Sequence, residues 1–149
     1  MQVGHIVTRT VEICTATESA TTLAARMRRA HVGDLVVVEN RGGDAVPVGV
    51  VTDRDLVVTV LANQRDPERV SAAEIMSERL VVVGEEDDVS VALEQMRRSG
   101  VRRIPVVDDS GKLTGIVALD DVVDYLTSML ADVSRVSKVQ SAEEQTFRT

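Results

Sequence analysis

A chain of 149 residues, 44% apolar and 28% charged, is long enough for one domain with a real core and too apolar to be disordered. A net charge of −7, with Tyr125 and Phe147 as the only aromatic residues, excludes a nucleic-acid partner, which needs a basic face and stacking platforms. No run reaches the ~20 apolar residues of a membrane span, the opening MQVGHIVTRT lacks a signal-peptide core, and the single Cys14 excludes an internal disulfide, so a cytoplasmic protein is expected. Within an apolar β-type run, Cys14 reads as a small buried hydrophobe, with a reactive thiol as the alternative.

The predicted elements begin with a short apolar stretch, Val11–Cys14, and an acidic turn. A helical pattern follows, with Ala20, Leu23, Ala24 and Met27 on one face and Arg28 and Arg29 at its negative end. The strands DLVVVE and PVGVVT come next, separated by the turn ENRGGD, and a helix over 53–62 closes the unit. In the connector NQRDPERVSAAE, Pro67 breaks that helix and Ser71 caps a short helix running to Met76. The series then repeats. Leu80–Val83 precedes a helix with Val89, Ala92, Leu93 and Met96 inward and Arg97 and Arg98 at its end. After it come the strands RIPVVD and LTGIVA around DDSGK, and a helix over 119–130. The polar tail beyond Asp132 reads as a helical extension or a frayed end.

The order is β-α-β-β-α, twice. At a constant offset of 69, Met27-Arg28-Arg29 matches Met96-Arg97-Arg98, and Val37-Val38 matches Val106-Val107. After Gly42 and Gly111 the offset is 66, pairing Gly49 with Gly115, Val51 with Val117 and Asp55 with Asp121. The chain therefore reads as two copies of an α+β unit, residues 1–65 and 77–131, with a linker and short helix at 66–76 and an extension at 132–149. A unit this small buries only a modest core. Two units packed about a pseudo-twofold axis solve that problem and leave clefts between them.

The stretch VGVVTDRDLV, residues 48–57, carries Thr52 and Asp55 at capping-box spacing, the Thr hydroxyl accepting from the amide three residues on. A carboxylate in a first helical turn can equally take a ribose diol. In the second copy Ala118 has lost the hydroxyl while Asp121 remains, which favours the ligand reading and makes the two sites unequal. Arg102 and Arg103, directly before a strand of an acidic protein, read as a phosphate clamp or as a solvated turn paired with nearby carboxylates. Gly33 and Asp34 stand in their place in the first copy. No Cys/His metal spacing, P-loop or nucleophile elbow is present, and His5 and His31 are isolated, so an enzyme is not expected.

With G-h-h-[ST]-x-x-D leading from strand to helix, GVVTDRDLV and VRRIPVVDDSGKLTGIVALDDVV resemble the CBS domain, the repeat named after cystathionine β-synthase. Two in tandem resemble a CBS pair, or Bateman module, over about residues 1–131. The resemblance implies an adenosine-containing ligand (AMP, ADP, ATP or similar) between the repeats, with no catalytic cofactor. It implies an aliphatic slot for the base from Ile13 and Thr15, Val82 and Gly84, and the stretches Gly33-Asp34-Leu35 and Val101–Ile104, together with Val51 and Val117. It further implies a stand-alone regulator that forms homodimers through its closing helices, Leu56, Val60 and Leu61 with Val122, Val123, Leu126, Met129 and Leu130, and that signals to a partner protein. The alternative is a ligand-free dimerising scaffold.

Overall fold

The computed structural model describes residues 1–147. Its first half holds β1 (Ile13–Cys14), α1 (Ala20–Ala30), β2 (Asp34–Arg41), β3 (Asp44–Thr52) and α2 (Asp53–Asp55), which runs on as a π-helical segment, Leu56–Leu61. After α3 (Ala72–Ile75) the second half holds β4 (Val83–Gly84), α4 (Val89–Ser99), β5 (Arg103–Val107), β6 (Leu113–Ala118) and α5 (Leu119–Phe147). Two three-stranded sheets result, β1-β2-β3 and β4-β5-β6, each with a parallel and then an antiparallel pairing. The repeat extends to irregularities: the ladder slips between Val37 and Val38 and, at the equivalent place, between Val106 and Val107.

Burial follows the apolar spacing. Leu23 and Met27 of α1 pack on Leu35, Val37 and Val51, and Ala92 and Met96 of α4 pack on Ile104, Val106 and Val117. Ala24 departs from the expected pattern and is exposed, because 20, 23 and 27 already fill the narrow stripe that the sheet covers. Cys14 is buried in the first core, and its thiol is pushed up to about 11, chiefly by burial. That holds it as an unreactive thiol at neutral pH.

Each core is completed by a segment from elsewhere in the chain. Val70, Ala72 and Ile75, from the segment expected to be a linker, lie in the first core. There Ala20 N–H donates to Val70 O at 2.8 Å and Ala72 N–H to Glu18 O at 2.8 Å. The opening residues, expected in the first repeat, place Val3 in the second core with Met1, Ile6 and Val7 against it. Val3 N–H donates to Asp87 O, and Val89 N–H to Met1 O, both at 2.8 Å. These two straps cross the sheets at equivalent glycines. A Cβ on Gly49 would lie 2.9 Å from Met76 Cβ, and one on Gly115 would lie 2.8 Å from Thr8 O. The strand glycines of the repeated motif thus make room for a strap.

The closing helices differ from expectation in type and length. The first copy's helix turns π after Asp55: Ala62 N–H reaches Val57 O, Arg65 N–H reaches Val60 O, and the Asn63 amide caps Val58 O and Thr59 O. The chain leaves this helix through Gln64, at φ 53°, before Pro67 is reached. The second copy's helix does not stop near Leu130 but continues to Phe147; residues 148–149 of the expected extension lie outside the described residues. Val60 and Val122, expected on a dimer face, are buried in their own cores. The exposed large apolar residues of these helices are Val57, Val58, Leu61, Val123, Leu126, Met129 and Leu130, then Val133, Val136, Val139 and Phe147. Among the described residues no helix is long and apolar enough to cross a membrane.

Candidate functional site

The site begins at the end of β3. Thr52 lies opposite Asp34 in the antiparallel ladder, as Ala118 lies opposite Arg103 in the second sheet. One residue on, Asp53 N–H donates to Gly33 O at 2.9 Å, and Leu119 N–H to Arg102 O at 2.8 Å. These equivalent bonds tie each helix start to the entry of the neighbouring strand. Residues far apart in sequence are thereby held side by side.

Thr52 and Asp55 form a complete capping box. Asp55 N–H donates to Thr52 Oγ1 at 3.1 Å, and Thr52 N–H donates to Asp55 Oδ2 at 2.8 Å. In the second copy half of this survives: Ala118 N–H donates to Asp121 Oδ2 at 2.8 Å. The retention of Asp121 without a hydroxyl partner therefore has a backbone explanation, and the inference drawn from it toward a ligand loses its force. Both carboxylates are half-buried and spend one oxygen on the backbone.

A cleft of about 620 Å³ opens beside Thr52, within the range of small-molecule sites. Of the residues expected to bind ligand, it gathers Gly33, Asp34, Thr52, Asp55, Val101, Arg102 and Arg103. Asp121, Ile13, Thr15, Val82 and Gly84 do not line it. Leu35, Val51, Ile104 and Val117 are fully buried core residues, because inward-facing strand positions are consumed by packing against α1 and α4. Ile13 and Val82 are exposed away from it. Besides Val101, the apolar wall comes from Val50, Leu80, Val81 and Pro105.

Its electrostatics are those of paired charges. Arg103 bonds to Asp34, its own equivalent in the other repeat, across the pseudo-twofold axis. The Asp34 side chain is only 13% exposed against 42% for Arg103. Burial pushes the Asp34 carboxyl above its ordinary value despite the pull of Arg103, and Asp53 adds to the rise. Arg102 pairs with Asp120 at 3.2 Å. Both expected clamp residues thus have a carboxylate partner in this structure. Sequence reading missed two other guanidiniums on the cleft, Arg54 and Arg79, which have no side-chain bond or ion pair among the described residues. Their signal was faint: one is an unremarkable residue inside TDRD, the other a lone arginine in the strap after α3. No group of three or more metal-ligating side chains occurs among the described residues.

Known proteins resemble this arrangement along most of the chain. A family model described as the CBS domain matches twice, at residues 3–62 and 72–128. An uncharacterised protein of Methanopyrus kandleri is 35% identical over 138 residues, 93% of this chain and 69% of that protein. A hexameric CBS-CP12 protein from bloom-forming cyanobacteria aligns with a TM-score of 0.73 at 28% identity, covering 83% of this chain and 66% of that one, so this chain spans just under two thirds of its length. A CBS domain protein from Pyrobaculum aerophilum, complexed with AMP, aligns with a TM-score of 0.71 at 26% identity, over 81% of this chain and 89% of that one. Two matched repeats, two equivalent sheets and a shared cleft lead to one conclusion: the chain belongs to the CBS-domain family as a tandem pair.

Proposed function

We propose that this CBS pair is a regulatory module without catalysis of its own, taking an adenosine-containing ligand such as AMP, ADP or ATP in the cleft and signalling its occupancy to a partner protein. The observation that carries the reading is the cleft, walled by aliphatic side chains from both repeats and edged by Thr52, Asp55 and four arginines. The base lies between Val50, Leu80, Val81 and Val101. The ribose meets Asp55, whose second carboxylate oxygen is left for a diol. Thr52 Oγ1 already accepts from Asp55 N–H, so its own hydroxyl hydrogen remains to donate to the sugar or a phosphate. The AMP complex of the related Pyrobaculum protein supports this choice of ligand. The exposed apolar residues of the closing helices support a homodimer.

A thermal-shift screen with adenosine, AMP, ADP, ATP, S-adenosylmethionine and NADH tests the reading. A ligand bound only by the native state adds about 2.7 kcal/mol at a hundredfold excess over Kd, and the melting temperature rises with concentration. No shift with any adenosine compound at millimolar concentration contradicts it and leaves the dimerising scaffold.

A further inference from the structure

The family match ends at residue 128, but α5 runs on to Phe147, and from Leu126 to Phe147 every residue of it is exposed. Apolar residues stand at 119, 122, 126, 129, 133 and 136, the alternating three-and-four spacing that keeps one stripe along a helix. Leu119 and Val122 spend their part of the stripe on the second core. Beyond the body the same stripe runs on uncovered, with Val133 and Val136 63% and 68% exposed. It ends where Gln140 and Glu143 take the next two places. A lone helix of this composition is marginal in water. It is rich in valine, and the Ser137, Ser141 and Thr146 hydroxyls bond back to carbonyls four residues earlier. The uncovered stripe therefore calls for a partner.

Resting on the homodimer of the proposed function and not on its ligand, we infer that α5 pairs antiparallel with α5 of a second copy, centred near Ala131. Two features of the helix select this occupant and this direction. Side-chain size is the first. Leu126 and Met129 are long, while Val133 and Val136 are short. Antiparallel pairing about Ala131 sets Leu126 against the partner's Val136 and Met129 against the partner's Val133, so each layer joins long to short. Parallel pairing sets long on long, short on short, and Glu143 on the partner's Glu143. Charge is the second feature. The first part of α5 carries Asp120, Asp121, Asp124 and Asp132 and no base, and the basic residues Arg135 and Lys138 follow it. In the antiparallel register Lys138 comes level with the partner's Asp124, whereas parallel pairing brings like charges level along the whole length. Near the centre each Asp132 keeps Arg135 at 2.9 Å, so the two carboxylates do not meet as bare charges. The register also accounts for where the stripe stops. Gln140 comes level with the partner's Val122, which its own core already covers. The segment beyond the repeats thus acts as an arm that reaches back along the partner's α5.

Pulsed dipolar electron paramagnetic resonance on the full chain tests the pairing, with a nitroxide at Asp132→Cys or at Gln140→Cys; the buried Cys14 stays unlabelled. Antiparallel pairing brings the two labels at 132 within about 20 Å, close to the spacing of packed helices. It separates the two labels at 140 by about 27 Å along the helix axis, from the ~1.5 Å rise per residue. Parallel pairing gives the same short separation at both positions. In a second measurement, sedimentation of the Val133→Asp/Val136→Asp variant is expected to show a dimer Kd raised about tenfold or more. Helical circular dichroism falls with it, while both cores, which neither valine touches, stay folded by amide NMR. Short separations at both positions, no defined separation at either, or a variant that dimerises like wild type overturns the inference while a dimer through other surfaces stands. A wild-type chain that is monomeric at micromolar concentration removes the homodimer and the inference together, and leaves the ligand reading intact.

Discussion

Glu18 shows how one side chain can serve a turn, a helix and a strand at once. Its carboxylate accepts from Thr15 N–H at 2.6 Å and pairs with Arg26 of α1, which also donates to Ile13 O. Burial alone would push the Glu18 carboxyl up, but the Thr15 amide and the Arg26 guanidinium outweigh it and hold it below the ordinary glutamate value. A carboxylate whose folded value is depressed stabilises the protein above its unfolded value, and that contribution is lost as pH falls through the folded one. Replacing Glu18 with Gln is therefore expected to cost about 1 kcal/mol in urea denaturation near pH 7, with the difference from wild type shrinking below about pH 4. A difference that grows on acidification contradicts this assignment. Gly115 gives a second residue-level expectation. A methyl there meets Thr8 O, and Thr8 is fixed by a two-way backbone pairing with Ile116 at 2.9 and 3.0 Å. Gly115→Ala is expected to destabilise by about 1–3 kcal/mol through overpacking; a neutral substitution shows that the strap does not cross there.

The exchange of straps makes a prediction that sequence order alone would reverse. Val3 lies in the chain's opening segment but is buried in the second core, while Ile75 lies after the first repeat and is buried in the first core. Val3→Ala is expected to remove about 1.5–3 kcal/mol of burial and to reduce hydrogen-exchange protection in β5 and β6, leaving β2 and β3 comparatively protected. Ile75→Ala should do the opposite. Loss of protection in β2 and β3 on changing Val3 would refute the exchange. The strands and helices were legible in the sequence because aliphatic periodicity recurs at a fixed offset, down to Met27 over Met96. The straps were not, since a short apolar segment such as VGHIV states that it is buried but not against what. The π-helical turns after Asp55 were equally hidden: the run Leu56–Leu61 shows only helical spacing, and Asn63 determines where its last carbonyls go. At the site, Thr52 and Asp55 were readable because a capping box is a local pattern. The Arg103–Asp34 pair was not read, although opposite charges stand there at equivalent positions, because only the twofold packing brings such positions together.

At the scale of the molecule, two modest cores are joined by Val36, Val38 and Ile116, by the Arg103–Asp34 pair near the axis, and by Lys112 with Asp44 at 3.4 Å. On the proposed function, a ligand held between the repeats would add to that joint and couple occupancy to how firmly the two units are held together. Val57 and Leu61 of the first closing helix and Leu126, Leu130 and Val136 of α5 are all exposed, the last 68%. Light scattering is expected to give twice the chain mass at micromolar concentration, and a monomer there contradicts the dimer. The central claim is that the cleft beside Thr52 is where an adenosine nucleotide binds. Its most direct test is a backbone-amide NMR titration of the ¹⁵N-labelled protein with AMP. The account predicts saturable shifts centred on Gly33, Asp34, Thr52 to Asp55 and Val101 to Arg103. An absence of shifts at millimolar AMP, or shifts centred on residues outside that cleft, would contradict it.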